Sequence, residues 1–210
     1  MTKRRRKPDH YYYKAKKEGY RSRAAFKIQQ MDQKFGLFRR GQVVLDLCGA
    51  PGGWAQVAKE KVGGNGRIIL LDLQSVNNLP EVECFRCDIT AEETFDLLQE
   101  LLGDPPAVDL LLADCAPKVT GAWSTDQARQ IFLAENALRL AVRLRASQAV
   151  TKVFEGRDFA ALQQFARTYY KSVRIYKPKA SRSESAEIYL YVGDFRGKTL
   201  AEGDLDDAGE

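Results

Sequence analysis

The chain has 210 residues, with 33 Lys and Arg against 28 Asp and Glu, and 44% of its residues are hydrophobic. This length and composition are typical of one globular domain with a substantial core. No apolar run is long enough to span a bilayer, and the basic N-terminus is not followed by the apolar segment of a signal peptide. We therefore expect no membrane partner and a cytoplasmic location.

Cysteine and histidine are scarce, with four and one residues respectively. Cys84 and Cys87 form an isolated C-x-x-C pair, and Cys48 and Cys115 lie far from it along the chain. Zinc sites usually need a second pair or histidines, so no metal site is expected. The pattern favours free thiols in a reducing, intracellular compartment.

Charge is distributed unevenly along the chain. Residues 1–40 contain 14 Lys and Arg but three acids, whereas residues 199–210 contain five acids and no base. A basic end on a nearly neutral globule predicts a polyanion-binding surface, although a solubilising tail would account equally well for residues 3–7. We expect a basic, partly disordered arm at residues 1–18, a central domain at 19–196 and an acidic, flexible tail at 197–210.

Three consecutive tyrosines, Tyr11, Tyr12 and Tyr13, lie among lysines and arginines near the N-terminus. Aromatic rings stack on bases and cations meet phosphates, so this mixture favours RNA as a partner. The alternative is that the tyrosines pack this segment onto the domain, and we expect at least one of them to do so.

A helix is predicted over residues 22–35, because Ala24, Ile28, Met31 and Phe35 recur at helical spacing and form a buried stripe. Lys27 falls on another face of this helix. Periodicity alone places that face in solvent.

The stretch from Val43 to Trp54 reads as a strand followed by a glycine-rich turn, and the next residues to Val62 read as a helix. This is where an α/β sheet holds a nucleotide-like ligand. The glycines do not follow the G-x-G-x-x-G spacing, because Cys48 and Pro51 interrupt it, and a pyrophosphate cradle is therefore disfavoured. A ligand with adenosine and no phosphate fits better, and S-adenosyl-L-methionine is the common one; an ordinary glycine-rich turn is the alternative.

Further strands alternate with helices, which indicates an α/β fold with a mostly parallel sheet. They are predicted at residues 67–71, 82–86, 108–113 and 149–154. The last two strands, at 172–176 and 186–192, are expected to form an antiparallel edge pair.

Two capping boxes are expected to begin helices in the second half of the chain. Thr90 with Glu93 precedes one helix, and Ser124 with Gln127 precedes a long one. The buried stripe of the long helix is predicted from helical spacing. Its members are Ile131, Ala134, Leu138 and Ala141.

Charged residues remain at the ends of the apolar strands. Asp72 is well placed to accept hydrogen bonds from a ribose diol, and Asp114 follows the fourth strand at the ligand crevice. Lys152 interrupts the fifth strand, where a lysine is costly unless it is paired or opens into a site. With Lys27 and Glu187, the set offers two cations and two anions that can pair.

The chain resembles the FtsJ family of RNA ribose 2′-O-methyltransferases, and also the methyltransferase domain of the Spb-type nucleolar enzymes. The matching stretches follow the family order over nearly the whole chain. They are residues 19–27, 46–54, 112–117, 151–154 and 181–189. The resemblance implies a Rossmann-like, seven-stranded, S-adenosylmethionine-dependent methyltransferase fold with helices on both faces of a mostly parallel sheet.

The same resemblance implies the site residues. The family's catalytic Lys-Asp-Lys-Glu set falls on Lys27, Asp114, Lys152 and Glu187. The implied cofactor contacts are Gly49, Pro51, Gly52, Gly53, Trp54, Asp72, Leu73, Asp88, Ile89 and Asp114. Lys152 is implied to lie nearest the ribose hydroxyl, either as a base with a lowered pKa or as an orienting group.

The resemblance implies methylation of a ribose 2′-hydroxyl in large-subunit ribosomal RNA, at a uridine, by a monomer that is nucleolar if its host is eukaryotic. Alternatives are a tRNA anticodon-loop methyltransferase, a catalytically inactive RNA-binding assembly factor and a small-molecule methyltransferase. RNA contacts are expected from basic residues. They are Arg4, Arg5, Arg6, Lys7, Arg21, Arg23, Lys118 and Arg182. Lys118 replaces a common asparagine of the family, and residues 145–148 replace its Pro-Gly-Gly turn.

Overall fold

The computed structural model describes residues 9–77 and 79–201. In this part of the chain seven strands form one sheet in the order β3-β2-β1-β4-β5-β7-β6. The strands are β1 Val43–Leu47, β2 Arg67–Asp72, β3 Glu83–Arg86, β4 Leu110–Ala113, β5 Gln148–Phe154, β6 Tyr170–Tyr176 and β7 Glu187–Phe195. Strands β1 to β5 pair in parallel, and β7 is antiparallel to both β5 and β6. The predicted α/β fold with a mostly parallel sheet is confirmed.

Helices cover both faces of the sheet. They are α1 His10–Glu18, α2 Ala25–Phe35, α3 Gly53–Val62, α4 Glu92–Leu102, α5 Trp123–Arg143 and α6 Phe159–Tyr169. Alternate residues of each buried strand point to opposite faces: Leu45 joins the core under α4, α5 and α6, whereas Val44 joins the core under α2 and α3. The predicted stripe of α5 is fully confirmed, since all four of its residues are buried.

The predicted antiparallel edge pair is confirmed, since β6 and β7 pair antiparallel at one side of the sheet. Within this pair, β7 lies between β5 and β6, and β6 is the outermost strand. The first residue of β7, Glu187, is in register with Phe154, the last residue of β5. The amino end of β7 therefore meets the carboxyl ends of the parallel strands at the same edge of the sheet.

Both predicted capping boxes are wrong. Helices α4 and α5 begin after Ala91 and Ala122, and neither has a side-chain cap. The Thr90 hydroxyl instead donates to Asp88 Oδ1 over 2.8 Å. In the first turn of α5, Asp126 accepts the backbone N–H groups of Thr120 and Gly121, in the preceding loop, at 2.7 and 3.0 Å. Local hydrogen bonds from Asp and Thr side chains compete with the cap positions.

Helix α2 begins at Ala25, three residues later than predicted. Of its predicted stripe, Ile28 and Met31 are buried as expected, whereas Ala24 and Phe35 are only partly buried. Ala25 and Phe26 complete the buried face of the helix.

The segment before α2 is also helical where it is described. Asp9, expected to be disordered, is the N-cap of α1 and accepts the Tyr12 N–H at 3.0 Å. Tyr11 packs against Phe26, whereas Tyr12 and Tyr13 are exposed. The packing alternative therefore applies to Tyr11. The expected arm residues Arg4, Arg5, Arg6 and Lys7 lie outside the described residues.

At the other end, Leu200 packs against the main core and the Ala201 N–H donates to the Tyr169 hydroxyl at 3.3 Å. Residues 202–210 of the expected acidic tail lie outside the described residues. No helix in the described ranges has the length and apolarity of a membrane span.

The expectation that all four thiols are free is wrong. Cys48 and Cys115 form a disulfide, with Cα atoms 5.0 Å apart, and Cys84 and Cys87 are the free cysteines of the described chain. Cys48 directly follows β1 and Cys115 lies two residues after the end of β4, and the last residues of these strands, Leu47 and Ala113, are register partners. Sheet pairing thus brings together two cysteines that are 67 residues apart in sequence.

Candidate active site

The loop between β1 and α3, residues 48–52, lies at the carboxyl ends of the parallel strands. We call it the glycine loop, because Gly49 and Gly52 lie in it. A Cβ on Gly49 would lie 2.6 Å from Leu70 Cγ and 2.8 Å from Asp46 Oδ2. Gly52, the N-cap of α3, has a φ of +104°, which side-chain-bearing residues rarely adopt. Packing therefore requires glycine at position 49, and the backbone conformation favours it at position 52.

Trp54 lies in the first turn of α3, directly after this loop, and its side chain is buried. Its indole N–H donates to the Ala24 carbonyl at 2.8 Å, and its ring lies 5.8 Å from that of Tyr189. With 2% of its surface exposed, Trp54 joins α3 to the residues before α2. Its expected contact with a cofactor stays a prediction.

Three carboxylates collect at the ends of β1, β2 and β4; we call Asp46, Asp72 and Asp114 the acidic edge. Asp72 accepts the Ala50 and Gln74 backbone N–H groups at 2.9 and 2.8 Å. Asp46 is fully buried, and its carboxyl oxygens have no well-formed hydrogen bond among the described residues. Burial first, and then the charges of Asp114 and Asp72, raise the pKa of Asp46 well above its usual range, while the Ala55 N–H partly opposes this rise.

The charge of the acidic edge bears on the class of ligand. Neighbouring carboxylates repel phosphate and attract a cation. A pyrophosphate would therefore be poorly accommodated here. Asp46 was missing from the predicted site residues, although it is an acid at the end of an otherwise apolar strand.

The remaining predicted cofactor contacts have different surroundings. The Asp88 carboxylate accepts a hydrogen bond from the Thr90 backbone N–H at 3.0 Å. Ile89 is buried, whereas Leu73 is 63% exposed. Pro51 is exposed, and its carbonyl accepts from Arg21 at 3.1 Å.

The four predicted catalytic side chains lie together as two ion pairs, which we call the Lys–Asp–Lys–Glu cluster. Lys27 Nζ lies 2.5 Å from Glu187 Oε1, and Lys152 Nζ lies 3.2 Å from Asp114 Oδ1. Lys152 also donates to the Asp114 carbonyl at 2.7 Å. The pairing expected from charge balance is observed, and Lys27 faces the site rather than open solvent.

Tyr189 joins the two pairs and was not predicted. Its hydroxyl donates to Asp114 Oδ1 at 2.8 Å and accepts from Lys27 Nζ at 3.1 Å. Burial, together with the charges of Asp114 and Glu187, raises the pKa of Tyr189 well above its usual range, so it remains a donor. Tyr189 on β7 is the register partner of Lys152 on β5. An alignment of these two strands would have indicated that Tyr189 belongs to the site.

Asp114 stays ionised in this setting. Burial alone would raise the pKa of its carboxyl, but Lys152, Lys27 and the Tyr189 hydroxyl hold that pKa below its usual value. A further support comes from Gln130, which donates to the Lys152 and Cys115 carbonyls at 2.9 and 3.2 Å. These two hydrogen bonds from Gln130 hold β5 against the loop that contains Asp114.

The predicted RNA contacts fall into different settings. Arg21 donates to the Pro51 and Asn77 carbonyls and so fastens the glycine loop. Arg23 pairs with Asp9 and donates to the Ala180 carbonyl, and Arg182 lies 3.5 Å from the same Asp9 carboxylate. Lys118 is exposed after β4. The structure places Arg23 and Arg182 beside Lys27 and Glu187, around one cavity of about 230 Å³.

The sheet order, the glycine loop, the acidic edge and the Lys–Asp–Lys–Glu cluster together define an α/β methyltransferase. Fold alone would not give this class, but the residues at the strand ends do. The chain belongs to the FtsJ-like methyltransferase family, whose profile matches residues 20–195.

Curated relatives agree with this membership. Proteins called ribosomal RNA large subunit methyltransferase E are 41% identical in Halorubrum lacusprofundi and 42% identical in Azoarcus sp.; the matches cover 93% and 90% of this chain and 74% and 92% of those proteins. The protein of that name from Methanocaldococcus jannaschii is 41% identical, over 95% of this chain and 83% of its own.

A crystallised Plasmodium falciparum protein described as a ribosomal RNA methyltransferase has the same fold. The two structures superpose with a TM-score of 0.75 and share 24% sequence identity, and the match covers 85% of this chain and 100% of the Plasmodium falciparum chain.

Proposed function

We propose that the protein transfers a methyl group from S-adenosylmethionine to the 2′-hydroxyl of a ribose, expected to be that of a uridine, in large-subunit ribosomal RNA. The observation that carries the proposal is the Lys–Asp–Lys–Glu cluster beside the acidic edge. The name shared by the archaeal and bacterial relatives supports the choice of RNA.

The residues of the glycine loop and acidic edge suit this donor. S-adenosylmethionine supplies an electrophilic methyl group on a sulfonium centre. The backbone of residues 49–53 would hold it, Asp72 would accept from its ribose diol, and the buried carboxylate of Asp46 would face positive charge. The absence of a phosphate cradle agrees with a donor that carries no phosphate.

The cluster is built to hold the acceptor ribose. Methyl transfer needs the attacking oxygen in line with the methyl carbon, so alignment carries much of the rate. Lys152 has three N–H donors; two are directed to the carbonyl and the carboxylate of Asp114. The third is left to orient the 2′-oxygen.

The contacts of Lys152 with the carboxylate and the carbonyl of Asp114 fix the position of its Nζ atom, which supports an orienting role over that of a base. A strong base is not needed, because the hydroxyl becomes very acidic as its oxygen bonds to the methyl carbon. The proton then passes to water.

Lys152→Ala tests the proposal. Methylation of large-subunit RNA should be abolished, while binding of S-adenosylmethionine, measured by calorimetry, should survive. Lys171→Ala is the matched control, because Lys171 is an exposed lysine on β6 with no expected role in the site. Normal activity of Lys152→Ala would contradict the assignment.

Mapping of 2′-O-methyl groups in cells with and without the gene tests the substrate. Loss of a methyl group from large-subunit RNA is expected. Loss from a tRNA anticodon loop instead, or donor binding without methylation of any RNA, would overturn the proposed substrate.

A further inference from the structure

A second cleft, of about 640 Å³, opens between the N-terminus of α1 and the connection from β6 to β7. Tyr11 and His10 lie on one side, and Lys179 and Ser181 lie on the other. None of these four residues belongs to the glycine loop, the acidic edge or the Lys–Asp–Lys–Glu cluster.

This cleft adjoins the cavity at Lys27 and Glu187, since the two share Arg23, Arg182 and Ser185 in their walls. RNA is a polymer, so a ribose held at the cluster brings its neighbouring nucleotides with it. The second cleft therefore lies next to the place that one of those neighbours would occupy.

The cleft contains polar donors that the described chain does not satisfy. Ser181 Oγ and Arg23 Nε are buried and lack hydrogen-bond partners, and only 9% of the Ser181 surface is exposed. Unsatisfied buried polar groups are costly. A phosphodiester, whose oxygens only accept hydrogen bonds, has the chemistry to satisfy both.

The charges of the cleft agree with such a ligand. Asp9 lies between Arg23 and Arg182, which balance its charge. Glu184 also lines the cleft, and Lys179 adds an exposed cation at its wall. His10 is exposed beside Tyr11, at a ring separation of 5.5 Å, and it offers a ring on which a base can stack.

We propose that this cleft binds the nucleotide adjacent to the methylated one, with its phosphodiester at Ser181 and Lys179 and its base at His10. The inference rests on the proposed function. It makes the sequence next to the target ribose part of what the enzyme recognises.

Lys179→Ala and His10→Ala test the proposal, since both side chains are exposed and lie away from the cluster. The KM for RNA should rise about 5- to 150-fold, as expected for about 1–3 kcal/mol of stacking or phosphate contact. The kcat and the affinity for S-adenosylmethionine should not change. For Lys179→Ala the slope of log binding constant against log salt should fall by about 0.7, one phosphate contact on a single strand.

Lys171→Ala is the matched control, because Lys171 is an exposed lysine on β6 that does not line the cleft. Photocrosslinking supplies an independent readout. Two RNAs are compared, one with 4-thiouridine on the 5′ side of the target nucleotide and one with it on the 3′ side. One of the two RNAs should crosslink to residues 10–11 or 179–183.

If the wild-type enzyme methylates RNA but both variants keep its KM and salt slope, the cleft assignment is overturned and the proposed function stands. If the wild type methylates no RNA at all, the proposed function fails, and the cleft assignment fails with it.

Discussion

The Tyr189 hydroxyl donates a hydrogen bond to Asp114 Oδ1 at 2.8 Å, and the hydroxyl oxygen of Tyr189 accepts one from Lys27 Nζ at 3.1 Å. One phenol on the antiparallel strand β7 thereby joins the two ion pairs of the Lys–Asp–Lys–Glu cluster. The relative position of the four side chains depends on this bridge as well as on their own charges.

Tyr189→Phe keeps the ring and removes the bridge. Methylation should fall about 10- to 100-fold in kcat, because a hydrogen bond to a charged group contributes about 1.5–3 kcal/mol. Steady-state methylation assays with RNA check this. Tyr170→Phe is the control, since the Tyr170 hydroxyl donates to the Ala146 carbonyl within the core; this variant should lose stability but keep kcat. Unchanged kcat in Tyr189→Phe would show that the bridge is dispensable.

The buried carboxylate of Asp46 should set a pH dependence of stability. Its pKa is raised by burial and by Asp114 and Asp72, so folding favours its protonated form. The resulting stability is present below the ordinary value of 3.8 and is lost as the pH rises towards the raised pKa. In the ligand-free protein, Asp46→Asn should therefore raise the melting temperature at neutral pH and lose this advantage in acid.

Thermal melts from pH 3 upward, in steps of about one pH unit, measure this difference between the variant and the wild type. Calorimetry with S-adenosylmethionine should also show weaker binding by Asp46→Asn, because the negative charge that would face the donor is gone. A constant melting-temperature difference at all pH values would contradict the assignment of the raised pKa.

The disulfide between Cys48 and Cys115 closes a long loop, since 67 residues separate the two cysteines. Its removal should lower the free energy of unfolding by roughly 2–4 kcal/mol. The double variant Cys48→Ala/Cys115→Ala should melt at a lower temperature and should not respond to a reductant, whereas the wild type should. Cys84→Ala/Cys87→Ala should keep the response. Equal melting of the reduced and oxidised wild type would show that the bond adds no stability.

The parallel part of the sheet was predictable because its strands are short apolar runs that end in acids or glycines. Lys152 was detectable for a related reason, since a charge within such a run demands a partner. Lys27 was different. Its helix periodicity placed it in solvent, and the resemblance to a family was needed to assign it to the site.

Other features depended on contacts between distant segments and could not be inferred locally. The partner of Cys48 is set by the pairing of β1 with β4, and the role of Tyr189 is set by the register of β7 on β5. The capping boxes had the right residue types in the right spacing. The first failed because Thr90 donates to Asp88 instead, and the second because Ser124 lies inside the first turn of α5.

The placement of β7 between β5 and β6 has a consequence for biosynthesis. Every residue of the acidic edge has been synthesised by position 114, but Glu187 and Tyr189 are added only with β7. A growing polypeptide can thus bring the acidic edge together before it can assemble the Lys–Asp–Lys–Glu cluster. The cluster is complete only when β7 has been synthesised and has inserted between β5 and β6.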